Sequence, residues 1–203
     1  KTFEYSYTLG AFPTIELIKN APEQVLQVIV SPELEDRATI TELCNEYRIS
    51  MIESKKQIER LSDKENVYII GVFRKFEKEL SKDAPHIVLV NPSNMGNLGT
   101  IIRTAIGFGI HDIAMIEPAA DIYNPKVVRA SMGALFHMNF KYFDSFEAYA
   151  AEYEGHEFFP FMLDADKTLV PGIYHGEKPF SLIFGNEATG LDVKFHKYGT
   201  SVL

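Results

Sequence analysis

Two short apolar runs, each followed by a loop rich in glycine and asparagine, constrain the fold of this 203-residue chain more than any other feature. Residues 87–90 read IVLV and lead into Asn91–Gly99, and residues 180–184 read FSLIF and lead into Gly185–Leu191. Continuous apolar runs of this length are typical of strands that are buried on both faces of a parallel sheet. Because further strand patterns alternate with helix patterns along the chain, we predict an α/β fold.

The chain divides near residues 81–85, where a charged, helix-like stretch (74–82) ends and Pro85 starts another segment. We predict a small α/β domain over residues 1–82 and a second α/β domain over residues 83–203. Serine or threonine followed three residues later by glutamate or glutamine predicts helix starts at Thr39 and Ser54, and Asp144 with Glu147 predicts another. The predicted strands are 25–30, 49–52, 67–72, 87–90, 112–116, 136–142, 158–163 and 180–184, and the predicted helices are 14–20, 39–47, 54–61, 100–108, 125–131 and 144–153.

Charge and cysteine content exclude several classes of protein. The chain has 28 acidic and 20 basic side chains, and its net charge of −8 argues against a general nucleic-acid-binding surface. Cys44 is the single cysteine, so no disulfide forms within the chain, and six histidines with one cysteine provide no zinc framework. No run approaches about 18 apolar residues, so we expect no transmembrane helix. We therefore expect a cytoplasmic protein, in which any RNA binding uses local basic patches, a groove between two subunits or recognition of RNA shape.

The first loop, Asn91–Gly99, leads into the predicted helix 100–108 and is the first candidate site. Its glycines permit sharp turns and close approach to a ligand, and helix N-termini attract anions. Arg103 lies one turn inside the helix, from where it can reach back toward the loop. The glycine spacing fits neither the dinucleotide-binding fingerprint nor a P-loop. A tight strand-to-helix turn with an exposed arginine explains the same residues equally well.

The second loop places Glu187 just beyond the predicted strand 180–184, where the end of a parallel strand positions functional carboxylates. Taken alone, Glu187 is better explained as the cap of a helix after Leu191 or as an acceptor for free backbone N–H groups. A third segment, Asn124–Ala134, lacks the Gly-x-Ser-x-Gly nucleophile motif and is interpreted as a short helix packed by Val127, Val128 and Met132.

The remaining candidates have simpler structural explanations. Cys44 has no nearby histidine and is expected to be a small buried hydrophobe. His156 and His175 flank loops and are expected at the surface rather than as ligands. The residues Asp164–Asp166 are expected to form a solvated turn rather than a magnesium site.

Together the two loops resemble the SpoU branch of the SPOUT superfamily, which comprises RNA ribose 2′-O-methyltransferases that use S-adenosyl-L-methionine. The resemblance rests on Asn-x-Gly-Asn-x-Gly-Thr-x-x-Arg-Thr-Ala at 94–105 and on Leu-Ile-Phe-Gly-Asn-Glu-x-x-Gly-Leu at 182–191. The Arg-Ala-Ser-x-Gly-Ala stretch at 129–134 also matches, and the resemblance covers residues 85–191. More weakly, the first domain resembles the L30e/L7Ae-like substrate-binding domain, through Gly10, Pro13 and Glu16.

The resemblance implies a parallel-sheet catalytic domain with a deep C-terminal trefoil knot, acting as a homodimer and without a metal. It implies that Arg103, Asn97 and Glu187 are the catalytic residues. Since a guanidinium is effectively never deprotonated, we expect Arg103 to clamp a substrate phosphate rather than act as a base. The residues implied to line the cofactor pocket are Ile183, Phe184, Gly185, Asn186, Gly190 and Leu191. A third family motif, Ser-Leu-Asn-x-Ser, is missing up to Leu203, and we expect the chain to continue into it.

RNA contacts are expected from a few local cations. Near the family motifs these are Arg103, Lys126 and Arg129. In the first domain, spacing places Lys56 and Arg60 on one helix face with Lys55 beside them, although a solvated face is the alternative. The implied substrate is structured RNA, with 23S rRNA favoured over tRNA by analogy with the family. The alternative function is a catalytically silent RNA-binding module of the same fold.

Overall fold

The computed structural model describes residues 3–62, 64, 66–170, 172–174 and 176–203. His175, predicted at the surface, lies outside the described residues. Contacts within the chain group it into two units, each with its own sheet. The first unit contains the chain up to Phe76 together with Gly96–Arg103 and Ile122–His137, and the second contains Glu77–Met95, Thr104–Asp121 and Met138–Leu203.

The first unit holds a mixed four-stranded sheet with the strand order β1-β4-β2-β3. Strands β2 and β3 are parallel, whereas β4 runs antiparallel to both β1 and β2. Its first elements, in chain order, are β1 (Tyr5–Tyr7), α1 (Ala11–Asn20), β2 (Val25–Val30), α2 (Ala38–Glu46), β3 (Met51–Glu53), α3 (Lys55–Leu61) and β4 (Ile69–Arg74).

Strand β2 separates two apolar clusters because its side chains alternate between the faces of the sheet. Val28 and Val30 pack on one face with residues of α1 and α2, whereas Ile29 packs on the other face with a residue of α3. Cys44 of α2 is 3% exposed, which confirms the prediction of a buried residue.

The second unit holds a five-stranded sheet in which every pairing is parallel, in the order β7-β6-β5-β9-β8. The later elements of the chain are β5 (His86–Val90), α4 (Met95–Gly107), β6 (Asp112–Ile116), α5 (Pro125–Ala130), β7 (Asn139–Phe143), α6 (Phe146–Glu152), β8 (Glu157–Pro160) and β9 (Phe180–Phe184). The parallel sheet confirms the predicted α/β class. Leu89 of β5 is level with Phe184 of β9, so both glycine-rich loops leave the same edge of the sheet.

One of the three helix starts predicted from capping patterns is correct. The Ser54 hydroxyl accepts a hydrogen bond from the backbone N–H of Gln57 at 3.3 Å, as the sequence predicts. The prediction at Thr39 is wrong, because this residue lies inside α2 and Asp36 accepts from the N–H of Ala38. At α6 the capping residue is Ser145 rather than Asp144.

Two further predictions are wrong because distant parts of the chain decide the local conformation. The stretch 74–82 is not a helix: the N–H of Lys75 donates to the carbonyl of Glu4, and Lys78 forms an antiparallel bridge with Phe140. Strand β7 begins at Asn139 instead of residue 136, since Ala134–His137 forms a 3₁₀ turn.

His156 is also misplaced by the sequence. It is 6% exposed rather than at the surface, and its Nδ1 lies 2.9 Å from the hydroxyl of Ser181. Both ring nitrogens of the buried His156 have hydrogen-bond partners. These partners are distant in the chain, so the sequence around His156 does not reveal them.

Candidate functional site

The carboxylate of Glu187 lies at the beginning of α4. Oε1 accepts a hydrogen bond from the N–H of Asn94 at 3.1 Å, and Oε2 accepts from the N–H and hydroxyl of Ser93 at 3.4 and 3.2 Å. The N–H groups before a helix lack intrahelical partners, and a negative charge is stabilised there. Glu187 therefore binds free backbone N–H groups, which was one of the two structural explanations. The other is wrong, because Asp192 caps the 3₁₀ turn after Leu191.

The pKa of Glu187 reflects this arrangement. Partial burial alone raises the pKa of the carboxyl group, but hydrogen bonds from its own backbone N–H and from those of Asn94 and Ser93 outweigh burial. The pKa is held below its usual value, so Glu187 is ionised at neutral pH.

Asn186 connects the two loops as well. Its Nδ2 donates to the carbonyl oxygen of Asn91 at 2.8 Å and to the hydroxyl of Ser93 at 3.3 Å, while its Oδ1 accepts from the N–H of Ala188. The sequence placed Asn186 in the cofactor set, whereas the structure uses its side chain to hold the first loop. Ser93 was missed, and its position just before a helix was the available signal.

Gly185 is required by the second loop itself. Asn186 and Gly190 form an antiparallel bridge, with the N–H of Gly190 donating to the carbonyl of Asn186 at 2.9 Å. A Cβ atom on Gly185 would collide with the backbone of Gly190 and Leu191. Backbone contacts within the loop therefore fix its conformation without a ligand.

Gly99 has a packing role rather than a loop role. Helix α4 begins at Met95 and not at residue 100, so Gly99 lies within its first turns. A Cβ atom on Gly99 would lie 2.5 Å from Cβ of Ala130 and 2.8 Å from the carbonyl oxygen of Val127. Glycine therefore lets α4 and α5 approach closely, and this contact joins two of the segments that resemble the family.

Three exposed cations lie on these two helices. Arg103 is one turn beyond Gly99 on α4, and Lys126 and Arg129 are on α5. Within the described residues, none of their three side chains has a hydrogen-bonding or ion-pair partner. Asn97 is also exposed on α4. The structure thus places Arg103, Lys126 and Arg129 in the first unit and Glu187 in the second.

The predicted cationic helix face is present on α3, but one of its charges is already paired. Nζ of Lys55 lies 2.5 Å from Oε1 of Glu33, and this hydrogen bond is the main reason that the pKa of Lys55 is raised. Lys56 and Arg60 are exposed, with no ion-pair partner among the described residues.

A cleft of about 460 Å³ lies in the second unit at the carboxyl ends of β5 and β6. Its charged lining is predominantly acidic and comprises Glu117, Asp144, Glu147, Asp192 and Lys194. Of the six predicted cofactor residues, Gly190 alone lines it. Among the described residues, no cluster of His, Cys, Asp and Glu is arranged to hold a metal ion, and no helix is long and apolar enough to cross a membrane.

Apolar side chains lie at the carboxyl ends of β8 and β9. The rings of Phe161 and Phe184 stack with centroids 4.4 Å apart. Leu163, which follows β8, is 93% exposed. Ile183 is fully buried, so it offers a ligand its backbone and not its side chain.

Comparison with known proteins places these features in a family. Residues 84–202 match the model of the SpoU rRNA Methylase family. The 23S rRNA (uridine(2479)-2'-O)-methyltransferase of Streptomyces viridochromogenes is 42% identical over 52 residues, which cover 26% of this chain and 18% of that protein. The 23S rRNA (guanosine(2553)-2'-O)-methyltransferase of Bacillus subtilis is 29% identical over 126 residues, covering 57% and 46%. The chain therefore spans less than half the length of these relatives.

Solved structures share the fold over nearly the whole chain. The SpoU methyltransferase AviRb from Streptomyces viridochromogenes, in complex with AdoMet, has a TM-score of 0.79 at 22% identity and covers 98% of this chain and 80% of its own. The AdoMet-bound rRNA methyltransferase from Sinorhizobium meliloti has a TM-score of 0.78 at 20% identity, with 98% and 77% covered.

Proposed function

This chain belongs to the SpoU rRNA Methylase family, and from that premise we propose that it transfers a methyl group from S-adenosyl-L-methionine to a ribose 2′-hydroxyl of RNA. The observation that carries the proposal is the pair of hydrogen bonds from Ser93 to Glu187 and from Asn186 to Asn91. It joins the two loops that resemble the family at the beginning of the helix that carries Arg103.

The residues around β8 and β9 fit the proposed cofactor. A flat adenine ring needs apolar neighbours and nearby backbone groups, and the half-buried, stacked rings of Phe161 and Phe184 and the exposed Leu163 offer such neighbours. We therefore assign the cofactor to the carboxyl ends of β8 and β9 and not to the acidic cleft.

The chemistry needs positioning more than covalent assistance. When bound, the cofactor supplies an electrophilic methyl group on a sulfonium. Arg103 stays protonated and holds a substrate phosphate, which positions the ribose and stabilises negative charge developing on the 2′-oxygen. The proton of the 2′-hydroxyl passes to that phosphate or to water. Asn97 orients the ribose or Arg103. Glu187 acts through the backbone N–H groups that it binds and is a positioning residue.

The proposed substrate is ribosomal RNA. Two relatives are named for 23S rRNA, and we carry that substrate over in preference to tRNA. We assign residues 1–82 to an L30e-like RNA-binding domain and residues 83–203 to the catalytic domain with its trefoil knot. The cations of α3 and those at Arg103, Lys126 and Arg129 offset the net charge of −8 locally.

The decisive experiment measures cofactor binding and methyl transfer separately. The full-length protein is titrated with S-adenosyl-L-methionine by calorimetry and then incubated with tritiated cofactor and unmodified 23S rRNA or tRNA. We expect the protein to bind the cofactor and to transfer the tritiated methyl group to rRNA. One phosphodiester linkage of the labelled rRNA should then resist alkaline hydrolysis, because a 2′-O-methyl group blocks strand cleavage there. RNA binding without cofactor binding would instead identify a silent RNA-binding module.

We also propose that the protein works as a homodimer, since an acidic chain gains a larger continuous RNA-binding surface by pairing its local patches. Light scattering of the full-length protein at micromolar concentration should give twice the mass of one chain. The mass of a single chain would contradict the proposal.

A further inference from the structure

Two motifs that are far apart in the sequence meet in the first unit. Gly133 belongs to the Arg-Ala-Ser-x-Gly-Ala stretch, and Pro13 and Glu16 belong to the start of α1. A Cβ atom on Gly133 would lie 2.9 Å from Cβ and Cγ of Glu16 and 3.4 Å from Cα of Pro13. The turn at Gly133 therefore packs directly against helix α1.

The turn that packs against α1 has two consecutive residues with positive φ angles. Met132 has φ +51° and Gly133 has φ +84°, and the N–H of Met132 donates to the carbonyl of Arg129 at 3.1 Å. A methionine in the left-handed region is uncommon, because glycine and asparagine adopt that conformation more easily. The prediction that Met132 packs in the core is wrong, because its side chain is 45% exposed, while the neighbouring Ser131 is fully buried. Neither backbone preference nor core packing explains a methionine here.

The turn is held in place from its other end by a hydrogen bond between His137 and Glu16. Nε2 of His137 lies 2.6 Å from Oε2 of Glu16, and Nδ2 of Asn20 donates to the carbonyl of Glu16 at 2.8 Å. Phe136 packs edge-on against Phe73 with ring centroids 5.4 Å apart. The segment after Met132 is thus anchored to α1 and to the core of the first unit, so the exposed side chain is presented by a rigid turn.

Exposed cations lie near the turn, and they indicate the chemical class of its ligand. Arg129 precedes Met132 by less than one turn, and Ala130 touches Gly99 of α4, one turn before Arg103. The exposed guanidinium groups of Arg103 and Arg129 have no acidic partner among the described residues. An adaptable apolar side chain beside unpaired cations suits a nucleotide, whose phosphate is neutralised while its base or ribose packs on the thioether.

We propose that Met132 is a specificity-determining contact for a nucleoside of the RNA substrate, and that Glu16 is the residue that positions it. This inference rests on the proposed function, because it assumes an RNA substrate. The inference gives helix α1 a function in substrate selection in addition to its packing in the first unit.

The test uses Met132→Gly and Met132→Ala in the full-length protein, with filter binding to unmodified transcribed 23S rRNA. Glycine accepts the positive φ, so Met132→Gly keeps or raises the melting temperature while removing the contact. We expect RNA affinity to fall about five- to tenfold in both variants, the scale of one lost thioether contact, with cofactor affinity unchanged. Unchanged RNA affinity in both variants would overturn the proposal. A change in mass by light scattering would also overturn it, since Met132 would then lie between two copies of the chain.

The role of Glu16 is tested by Glu16→Ala, Glu16→Gln and the control Glu23→Ala, which alters an exposed carboxylate after α1. We expect Glu16→Ala to raise the KM for RNA without changing kcat or cofactor affinity, and Glu16→Gln to restore it, because an amide oxygen also accepts from His137. In the Met132→Gly background, Glu16→Ala should add no further loss. Loss of kcat and melting temperature together would assign Glu16 a merely structural role.

The RNA affinity of the Met132 variants is measured without cofactor or turnover, so that part of the test is independent of the methyl-transfer assay. A protein that binds RNA through Met132 but transfers no methyl group would overturn the proposed function alone. A protein that transfers methyl groups with the same RNA affinity in every Met132 variant would overturn this inference alone.

Discussion

Arg103 is the residue whose chemistry the proposed function depends on most. It is exposed on α4, and its guanidinium has no acidic partner among the described residues, so its charge is available to a phosphate. We expect Arg103→Ala to reduce methyl transfer by about a hundredfold or more, the scale of removing a donor from a developing oxyanion. Arg103→Lys should fail as well, because an ammonium group cannot replace the two-pronged contact of a guanidinium on phosphate.

The measurement is methyl incorporation into rRNA at saturating cofactor, with calorimetry to confirm that cofactor affinity is retained. Arg74→Ala is the matched control, since Arg74 is exposed at the end of β4 and is assigned no role. Substantial turnover by Arg103→Lys would contradict the phosphate clamp.

Individual site residues are predictable from sequence when their partners are local. The Ser54 cap follows from a spacing of three residues, and the position of Glu187 at a strand end follows from the apolar run before it. Its partners Ser93 and Asn94 do not, because they depend on β5 and β9 being neighbours with Leu89 level with Phe184. That neighbourhood is set by the order of strands in the sheet, which no local pattern encodes.

Whole elements show the same division between local and distant causes. Strands 25–30, 112–116 and 180–184 are predicted with their observed bounds, because continuous apolar runs are bounded by turn residues. The start of α4 is misplaced, because the sequence assigns Gly96 and Gly99 to a loop. In the structure Glu187 satisfies the N–H groups before Met95, and Gly99 is needed where α5 crosses. Both causes lie outside the segment itself.

Helix α3 offers a test of how an acidic protein holds RNA. Because Lys55 is already paired with Glu33, Lys56 and Arg60 should carry most of the electrostatic contribution of this helix. We expect the double variant Lys56→Ala/Arg60→Ala to weaken RNA binding and to reduce the slope of log affinity against log salt by roughly one to two. Cofactor affinity should not change.

The control for this helix is the double variant Glu33→Gln/Lys55→Ala, which removes the charge of Lys55 together with the carboxylate that neutralises it and so leaves the local net charge unchanged. It should alter RNA affinity and salt slope much less than Lys56→Ala/Arg60→Ala does. If Lys56→Ala/Arg60→Ala keeps the parent's affinity and slope, RNA is not recognised through α3.

At the scale of the whole molecule, the parallel sheet of the second unit has two chemically different ends. The carboxyl end carries the loops, whereas the amino end carries a buried hydrogen-bonded chain. His86 Nδ1 lies 2.9 Å from the hydroxyl of Tyr149, which lies 2.7 Å from that of Ser181, and Ser181 continues to His156. Both histidines also bond backbone carbonyls, of Ser81 and Lys82. The segment entering β5 is therefore held by buried imidazoles.

Burial of these imidazoles makes the fold sensitive to acid. Desolvation lowers the pKa of His86 from 6.5 to about 4, and it lowers that of His156 as well. Between pH 6.5 and 4 the unfolded chain therefore takes up a proton at residue 86 that the folded chain does not. Stability that is fully present above pH 6.5 is lost as the pH falls through this range, by up to about 3 kcal/mol for His86.

The measurement that checks this is the free energy of unfolding in urea at several pH values between 7.5 and 4. The groups around His86 are Tyr149, Tyr153, His156 and Asp112, and carboxylates elsewhere also contribute to acid sensitivity. The informative quantity is therefore the difference in pH slope between the parent and His86→Gln, whose amide forms hydrogen bonds but does not titrate. We expect the variant to be less stable at pH 7.5, because a buried ring is replaced, but to lose less stability between pH 6.5 and 4. Parallel slopes in the two proteins would show that the pKa of His86 is not lowered by folding.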